Sequence, residues 1–114
     1  MTDYKRGDIV LVNFNPHKKA EEVGKVRPAV IVSDTQLNDV LDLVTVVAMT
    51  TDLIDDAEPL RVRIGRREGL KHDSDAMIEQ IRSVSRRRIG ERIGALNEEE
   101  LQKIAFGIAA MLSL

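Results

Sequence analysis

Short apolar runs, rich in β-branched residues and separated by turn-forming residues, occupy residues 1–90. Four of these runs predict β-strands, at residues 8–15, 28–34, 43–50 and 60–64. In the last run three apolar residues alternate with Arg61 and Arg63, which predicts one buried and one solvated face. A fifth strand is predicted at residues 75–81, and residues 84–89 either continue it after a bend or begin a sixth.

The period changes near the C-terminus, where the pattern is that of an amphipathic helix. Asn97 and Glu100 have the spacing of a capping box. The apolar residues that fall three and four positions apart on one helical face are Leu101, Ile104, Ala105, Ile108, Met111 and Leu112. Strands followed by one helix predict a mainly β fold with a C-terminal α-helix: a small, mostly antiparallel β-barrel or curled sheet. A length of 114 residues predicts a single domain, residues 1–114.

Composition excludes several classes of chemistry. The chain has no cysteine, which excludes disulfides, thiolate zinc sites and thiol nucleophiles. Its content of 43% hydrophobic and 32% charged residues is typical of a soluble globular protein. Neither the apolar core of a signal peptide nor a run of about 20 apolar residues is present, so we expect a cytoplasmic protein that does not enter a membrane.

The familiar motifs of metal and cofactor sites are also missing. His17 and His72 are the only histidines, and neither HExxH nor an EF-hand spacing occurs. A Gly-rich phosphate loop and a GxSxG nucleophile elbow are absent as well. We therefore expect no metal and no cofactor.

The net charge of −2 conceals a segregation of charge along the chain. Residues 34–60 carry seven acidic and no basic side chains, whereas residues 61–93 carry ten basic and five acidic ones. A polyanionic ligand requires a local positive surface and not a positive total, so nucleic acid remains a possible partner. Solvation of a small domain explains the same charges without any ligand.

Arg27 stands where a long loop enters the second predicted strand. Residues 16–26 form a connection longer than a hairpin requires, and such loops often carry binding groups. Pro28 restricts Arg27 to an extended conformation, which projects its guanidinium from a defined backbone position. Local sequence alone favours a surface ion pair of Arg27 with Glu21 or Glu22. It likewise favours an ordinary strand end for Thr50 and Thr51, at the end of the third strand.

Five segments, in the same order and with matching gaps, resemble the MazF/PemK/Kid family of bacterial toxins. They are "RGDIVLVNFNP", Glu21 at five residues after Pro16, "RPAVIVS", "VTVVAMTT" and "GLKHDSDAMIEQIRSVSRRRI". Members of this family are small endoribonucleases of toxin–antitoxin systems. The resemblance covers nearly the whole chain. It implies a plasmid-maintenance-toxin barrel of the SH3-like type, a homodimer and an antitoxin partner.

The resemblance also implies a reaction. A ribose 2′-OH attacks the adjacent phosphorus of single-stranded RNA without a metal, leaving a 2′,3′-cyclic phosphate and a 5′-OH. Arg27 matches the catalytic Arg of the family and Thr50 its catalytic Thr. A guanidinium and a hydroxyl suit the negative charge that develops on the phosphoryl oxygens. Because Arg is not readily deprotonated, Arg27 is assigned to charge stabilisation and not to the role of general base.

Further residues are implied with less definite roles. Glu21 or His17 would act as the general base or position Arg27. Met77 stands near the position at which the Kid branch carries a catalytic Arg, so the Arg27 and Thr50 arrangement is the one this chain supports. The expected RNA-binding residues are Lys18, Lys19, Lys25, Thr51, Gln80 and Arg82.

Two other functions are compatible with the same fold. A non-enzymatic toxin of the CcdB type binds DNA gyrase, but that branch depends on a C-terminal Trp and this chain has no Trp. A degenerate nucleic-acid-binding module is the second alternative, against which Arg27 and Thr50 both argue.

Overall fold

The computed structural model describes residues 4–14 and 26–114. Within these residues the chain forms six strands and two α-helices. In chain order they are β1 (Asp8–Asn13), β2 (Val26–Ile31), α1 (Thr35–Asn38), β3 (Leu43–Thr50), β4 (Arg61–Ile64), β5 (Ser74–Ser85), β6 (Ile89–Ala95) and α2 (Glu98–Leu112). A 3₁₀ turn at Arg86–Arg88 joins β5 to β6.

All six strands belong to one sheet, in the order β4-β5-β3-β2-β1-β6. Each pair of neighbours is antiparallel. The prediction of a mainly β, mostly antiparallel fold with a C-terminal helix is therefore confirmed. The sheet curls without closing, since β4 and β6 are its two outer strands.

Alternation along the strands divides the apolar residues between the two faces of the sheet. Ile9 of β1 packs with Val30, Met49 and other residues on the face that α2 covers. Val10 and Val12 belong to a second buried cluster on the opposite face. Because successive side chains of a strand point to opposite faces, both layers are filled by the same strands.

Helix α2 begins as the sequence predicts. The Asn97 side chain accepts a hydrogen bond from the Glu100 backbone N–H at 2.8 Å, and the Glu100 carboxylate accepts one from the Asn97 N–H at 2.9 Å. Ile104 is buried, and the other predicted apolar positions are half-buried except Leu112, which is 53% exposed. The helix packs against β4 and β5.

Several boundaries differ from the prediction. Residues 84–89 are divided among three elements: residues 84 and 85 end β5, Arg86–Arg88 form the 3₁₀ turn and Ile89 begins β6. The fifth strand therefore continues and a sixth also begins. The part of β6 beyond Ile89 was not predicted: its sequence IGERIGA has two glycines, and its pairing with β1 has two irregularities in register. Between β2 and β3 lies the short helix α1, where the Asp34 carboxylate caps the helix by accepting hydrogen bonds from the backbone N–H groups of Gln36 and Leu37.

Candidate active site at one end of the sheet

Arg27 lies near the start of β2, where the strand is least enclosed. It is exposed and pairs with Val12 of β1. On the other side, β2 pairs with β3 only from Ile31 to Ala29. Pro28 has no backbone N–H and so contributes no donor to the ladder at this point. The guanidinium of Arg27 is therefore carried by backbone that β1 holds on one side and that is open on the other.

Thr50 is the last residue of β3. Continuing the β2–β3 register by two residues beyond the pair Ala29 and Ala48 sets Thr50 opposite Arg27. Pro28 and Thr51 line one small cavity of about 220 Å³, which shows that the two strand ends stay close in space. Residues opposite each other in antiparallel strands point to the same face. The structure thus brings these two predicted residues to one end of adjacent strands and to the same face.

The half-buried side chain of Thr50 has a defined hydrogen bond. Its Oγ1 accepts the backbone N–H of Asp52 at 3.1 Å. Since that bond uses a lone pair of the oxygen, the hydroxyl hydrogen remains available to another acceptor. Such an arrangement suits donation to an anionic oxygen.

Asp75 is the register partner of Thr50 on β5 and is almost completely buried. Its Oδ1 accepts a hydrogen bond from Nε of Arg63 at 2.6 Å, and its Oδ2 accepts the backbone N–H of Ile54 at 2.9 Å. Nη1 of Arg61 lies 3.5 Å from Oδ2. One carboxylate therefore ties the segment that follows Thr50 to strands β4 and β5.

Opposing effects set the charge state of Asp75. Burial raises the pKa of this carboxyl group. The hydrogen bonds from Arg63 and from the Ile54 N–H, together with the positive charges of Arg63 and Arg61, outweigh burial and leave the pKa below its ordinary value. Arg63 correspondingly has a raised pKa, mainly because of its hydrogen bonds to Asp75 and Asp55. The group at this end of the sheet is thus a fully charged network.

Gln80 and Arg82 lie further along β5. Residues 77–80 form a bulge opposite Ala48 alone, since Ala76 pairs with Met49 and Ile81 with Val47. Gln80 is exposed in that bulge. Arg82 is opposite Val46, about 13 Å along β3 from Thr50. The ladder therefore does not place Arg82 beside Thr50.

The curl of the sheet gives Arg82 a different neighbour. Its guanidinium carbon lies 5.2 Å from the centre of the Phe14 ring, in cation–π contact. Phe14 directly follows β1, and Asn13 before it pairs with Val26. Arg82 consequently faces the ends of β1 and β2, although β5 and β1 are not neighbours in the sheet.

Five of the predicted residues fall in the part of the chain that the structure does not describe. His17, Lys18, Lys19, Glu21 and Lys25 lie outside the described residues, as does the alternative ion pair of Arg27 with Glu21 or Glu22. Across residues 4–14 and 26–114, no group of three or more His, Asp or Glu side chains is arranged to hold a metal ion. No helix in the same ranges is long and apolar enough to span a membrane.

Sequence reasoning missed the network of Arg61, Arg63 and Asp75. The alternation in β4 does indicate that Arg61 and Arg63 share a face. Nothing local indicates that Asp75, eleven residues beyond the end of β4, is the acceptor on that face. The pairing of β4 with β5, which sets Arg63 opposite Asp75, is the information that was needed.

Comparison with known proteins gives one consistent result. Residues 5–112 match the model of a family described as PemK-like, MazF-like toxin of type II toxin–antitoxin system. Endoribonuclease EndoA of Bacillus subtilis (strain 168) is 29% identical over 111 residues, which cover 96% of this chain and 95% of that protein.

Solved structures with the same fold include toxins alone and in complexes. Mycobacterium tuberculosis toxin MazF-mt6 superposes with a TM-score of 0.77 at 20% identity, covering 94% of this chain and 97% of the toxin. A MazE-MazF structure from Deinococcus radiodurans superposes with a TM-score of 0.75 at 20% identity, covering 100% and 98% of the two chains. At such identities the likeness concerns the fold.

Proposed function

The chain belongs to the family of PemK-like, MazF-like toxins of type II toxin–antitoxin systems, and from this premise we propose that it is a sequence-specific, metal-independent endoribonuclease of single-stranded RNA. The observation that carries the proposal is the span of the family match, residues 5–112, which includes both Arg27 and Thr50. The 29% identity to an endoribonuclease over nearly the whole chain supports the same activity.

The proposed reaction is an internal transfer at phosphorus. The 2′-oxygen of one ribose forms a bond to the adjacent phosphorus while the bond from phosphorus to the 5′-oxygen breaks. The proton of the 2′-OH passes to a base, and a proton is delivered to the departing 5′-oxygen. The products are a 2′,3′-cyclic phosphate and a 5′-OH, with no water or metal consumed.

Arg27 and Thr50 supply what this reaction needs at phosphorus. Negative charge grows on the phosphoryl oxygens, and a guanidinium held by its strand stabilises it through charge-assisted hydrogen bonds. The Thr50 hydroxyl, whose oxygen already accepts the Asp52 N–H, donates its hydrogen to a further oxygen. Glu21 and His17 remain the two candidates for the base that takes the 2′-OH proton.

We also propose that the protein is a cytoplasmic homodimer that an antitoxin neutralises. Large apolar side chains are exposed on the single chain, among them Leu37, Val40, Leu41 and Phe106. Apolar surface of this kind is typical of interfaces. An endoribonuclease from a mycobacterial species, in complex with its cognate antitoxin, has the same fold with a TM-score of 0.74 at 21% identity.

The test is cleavage of a random-sequence single-stranded RNA pool in the presence of EDTA. We expect fragments with cyclic phosphate and 5′-OH ends, and sequencing of the ends should give one short motif. Arg27→Ala should slow cleavage by about 10²–10³-fold, the effect of losing one donor to a developing oxyanion. Light scattering should give the mass of a dimer for both proteins, which would exclude unfolding or dissociation as the cause.

Three results would reject parts of the proposal. Cleavage at the wild-type rate by Arg27→Ala rejects the role of Arg27. Cleavage that requires added metal rejects the metal-independent reaction. No cleavage of RNA, together with inhibition of gyrase in a supercoiling assay, would favour the non-enzymatic alternative.

A further inference from the structure

The guanidinium of Arg63, on the outer strand β4, donates hydrogen bonds to two carboxylates, one buried and one exposed. Its Nε donates to the Asp75 carboxylate at 2.6 Å, and that side chain is only 1% exposed. The Arg63 side chain itself is 38% exposed. A buried carboxylate therefore sets the orientation of a guanidinium whose side chain is partly exposed to solvent.

The Nη2 side of the Arg63 guanidinium, which we call its outward edge, is bonded to an exposed carboxylate. Nη2 donates to Oδ1 of Asp55 at 2.9 Å, and the Asp55 side chain is 83% exposed. Exposed ion pairs of this type contribute little to stability and exchange readily with other partners. Carboxylate and phosphate oxygens match the donors of a guanidinium in the same geometry. Asp55 thus occupies a position that suits a phosphate oxygen.

Strand pairing relates Arg63 to Thr50. Thr50 pairs with Asp75, and Asp75 pairs with Arg63. Since antiparallel partners point to the same face, Arg63 lies on the Thr50 side of the sheet at two strand spacings, about 10 Å. This separation brings Arg63 within reach of the RNA backbone beside a phosphate bound between Arg27 and Thr50.

The surface next to Arg63 has room for a polynucleotide strand. A cleft of about 690 Å³ lies between the segment Ile54–Glu58 and the residues Arg61, Arg63 and Asp75. Carboxylates of Asp55, Asp56 and Glu58 line the same cleft and repel a backbone phosphate placed deep within it. A phosphate contact is therefore confined to the outward edge of Arg63.

We propose that Arg63 binds an RNA backbone phosphate next to the scissile one, and that this phosphate replaces Asp55 on the guanidinium. Asp75 is the positioning residue that keeps the guanidinium aimed outward. The inference rests on the proposed function, because it takes single-stranded RNA as the ligand and the Arg27 and Thr50 end of the sheet as its place.

Direct binding tests the phosphate contact without cleavage. The probe is a labelled random-sequence single-stranded RNA, 2′-O-methylated throughout so that no 2′-OH can attack. Arg63→Gln should weaken binding about tenfold, the loss of one charge-assisted contact. The slope of log affinity against log salt concentration should become smaller by about 0.7, the value for one phosphate contact to a single strand.

Asp55→Asn should act in the opposite direction. Removal of the competing carboxylate should tighten binding about two- to fivefold, the range of an exposed ion pair. Asp56→Asn is the matched control, because it removes the same charge from the adjacent residue of the same cleft. Asn also tolerates the positive φ of 56° at this position. We expect Asp56→Asn to change binding less than Asp55→Asn does.

The double variant Asp55→Asn with Arg63→Gln distinguishes two explanations: that phosphate replaces Asp55 on Arg63, or that Asp55 simply repels RNA. If Asp55 competes with phosphate for Arg63, the gain from Asp55→Asn should disappear when Arg63 is already Gln. If Asp55 merely repels RNA, the gain should persist. Either persistence of the gain or a looser complex in Asp55→Asn overturns the inference. Should Arg63→Gln fold poorly, the comparison of Asp55→Asn with Asp56→Asn still tests it, because neither variant changes Arg63.

The two proposals can fail separately. If wild-type protein cleaves RNA, Arg27→Ala does not, and Arg63→Gln binds with unchanged affinity and salt slope, only the phosphate contact is wrong. If wild-type protein binds the probe with the predicted effects at Arg63 and Asp55 but cleaves no RNA, the phosphate contact stands and the catalytic proposal falls. Absence of binding by wild-type protein rejects the contact as well.

Discussion

The hydrogen bonding of Thr50 leaves its structural role at the end of β3 compatible with the proposed catalytic role. As an acceptor from the Asp52 N–H it ends β3 and begins the turn that follows. Its hydroxyl hydrogen remains available for donation to another acceptor. The interpretation of Thr50 as an ordinary strand end is therefore compatible with its proposed catalytic role.

Substitution of Thr50 separates the two roles. Thr50→Val keeps the β-branched shape but removes the hydroxyl, and we expect a fall in the single-turnover cleavage rate of about 10²-fold or more. Thr50→Ser keeps the hydroxyl and should stay within a few-fold of wild type. Single-turnover kinetics on a defined RNA would measure both, with urea unfolding as the control for stability. A Val variant as fast as the Ser variant would contradict the assigned role.

At the scale of elements, the contact of α2 with the sheet depends on the small size of Gly107. Gly107 is buried in the middle of the helix, against β5 and the segment before β4. A Cβ added there would clash with the Pro59 carbonyl oxygen and would lie 3.0 Å from Cγ1 of Ile78. The glycine therefore lets the helix backbone approach the sheet closely, at a cost in helix propensity.

Gly107→Ala should consequently destabilise the protein. In an unconstrained helix interior the same change stabilises by about 1 kcal/mol. Here the clash should reverse the sign and lower the free energy of unfolding by about 1–3 kcal/mol. Ala110→Gly at an exposed position of the same helix is the control, with an expected loss of about 1 kcal/mol from propensity alone. Urea unfolding measures both, and a Gly107→Ala protein more stable than wild type would show that the helix moves at little cost.

At the scale of the whole molecule, two charged contacts join parts of the chain that are distant in sequence. Asp75 connects β5 to β4 and to the segment after β3. Glu100, near the start of α2, accepts two hydrogen bonds from Arg67 at 2.8 and 2.5 Å. Hydrogen bonding from Arg67 is the main cause of the lowered pKa of Glu100, whereas burial opposes it.

These two carboxylates predict a loss of stability in acid. The pKa of each is lower in the folded than in the unfolded protein, so their contribution is present at neutral pH and is lost as pH falls. The loss should begin near the ordinary values of 3.8 for Asp75 and 4.5 for Glu100 and should continue below them. Thermal unfolding measured from neutral pH down to pH ~3 should show a falling midpoint.

Matched variants identify the groups responsible. Glu100→Gln and Asp75→Asn should be less stable than wild type at neutral pH and should show a shallower fall in acid. Glu99→Gln, an exposed neighbour in the first turn of α2, should leave the pH dependence nearly unchanged. A fall of equal steepness in all four proteins would assign acid sensitivity to other carboxylates.

Elements whose signals are local can be predicted from the sequence alone. The alternation in β4 and the capping box of Asn97 and Glu100 each lie within a few residues, so they predict a strand and a helix start without knowledge of the rest. Arg27 and Thr50 were predicted to be catalytic only through the resemblance to a family, since local sequence favoured an ion pair and a strand end.

Features that depend on pairing between distant segments are apparent only in the folded sheet. β6 has a weak pattern of its own and exists as a strand because it pairs with β1. Asp75 became the centre of a charged network because β5 lies between β3 and β4, which sets it beside both Thr50 and Arg63. Strand order and register are properties of the folded sheet. A buried carboxylate acquires its partners only when that order and register have formed.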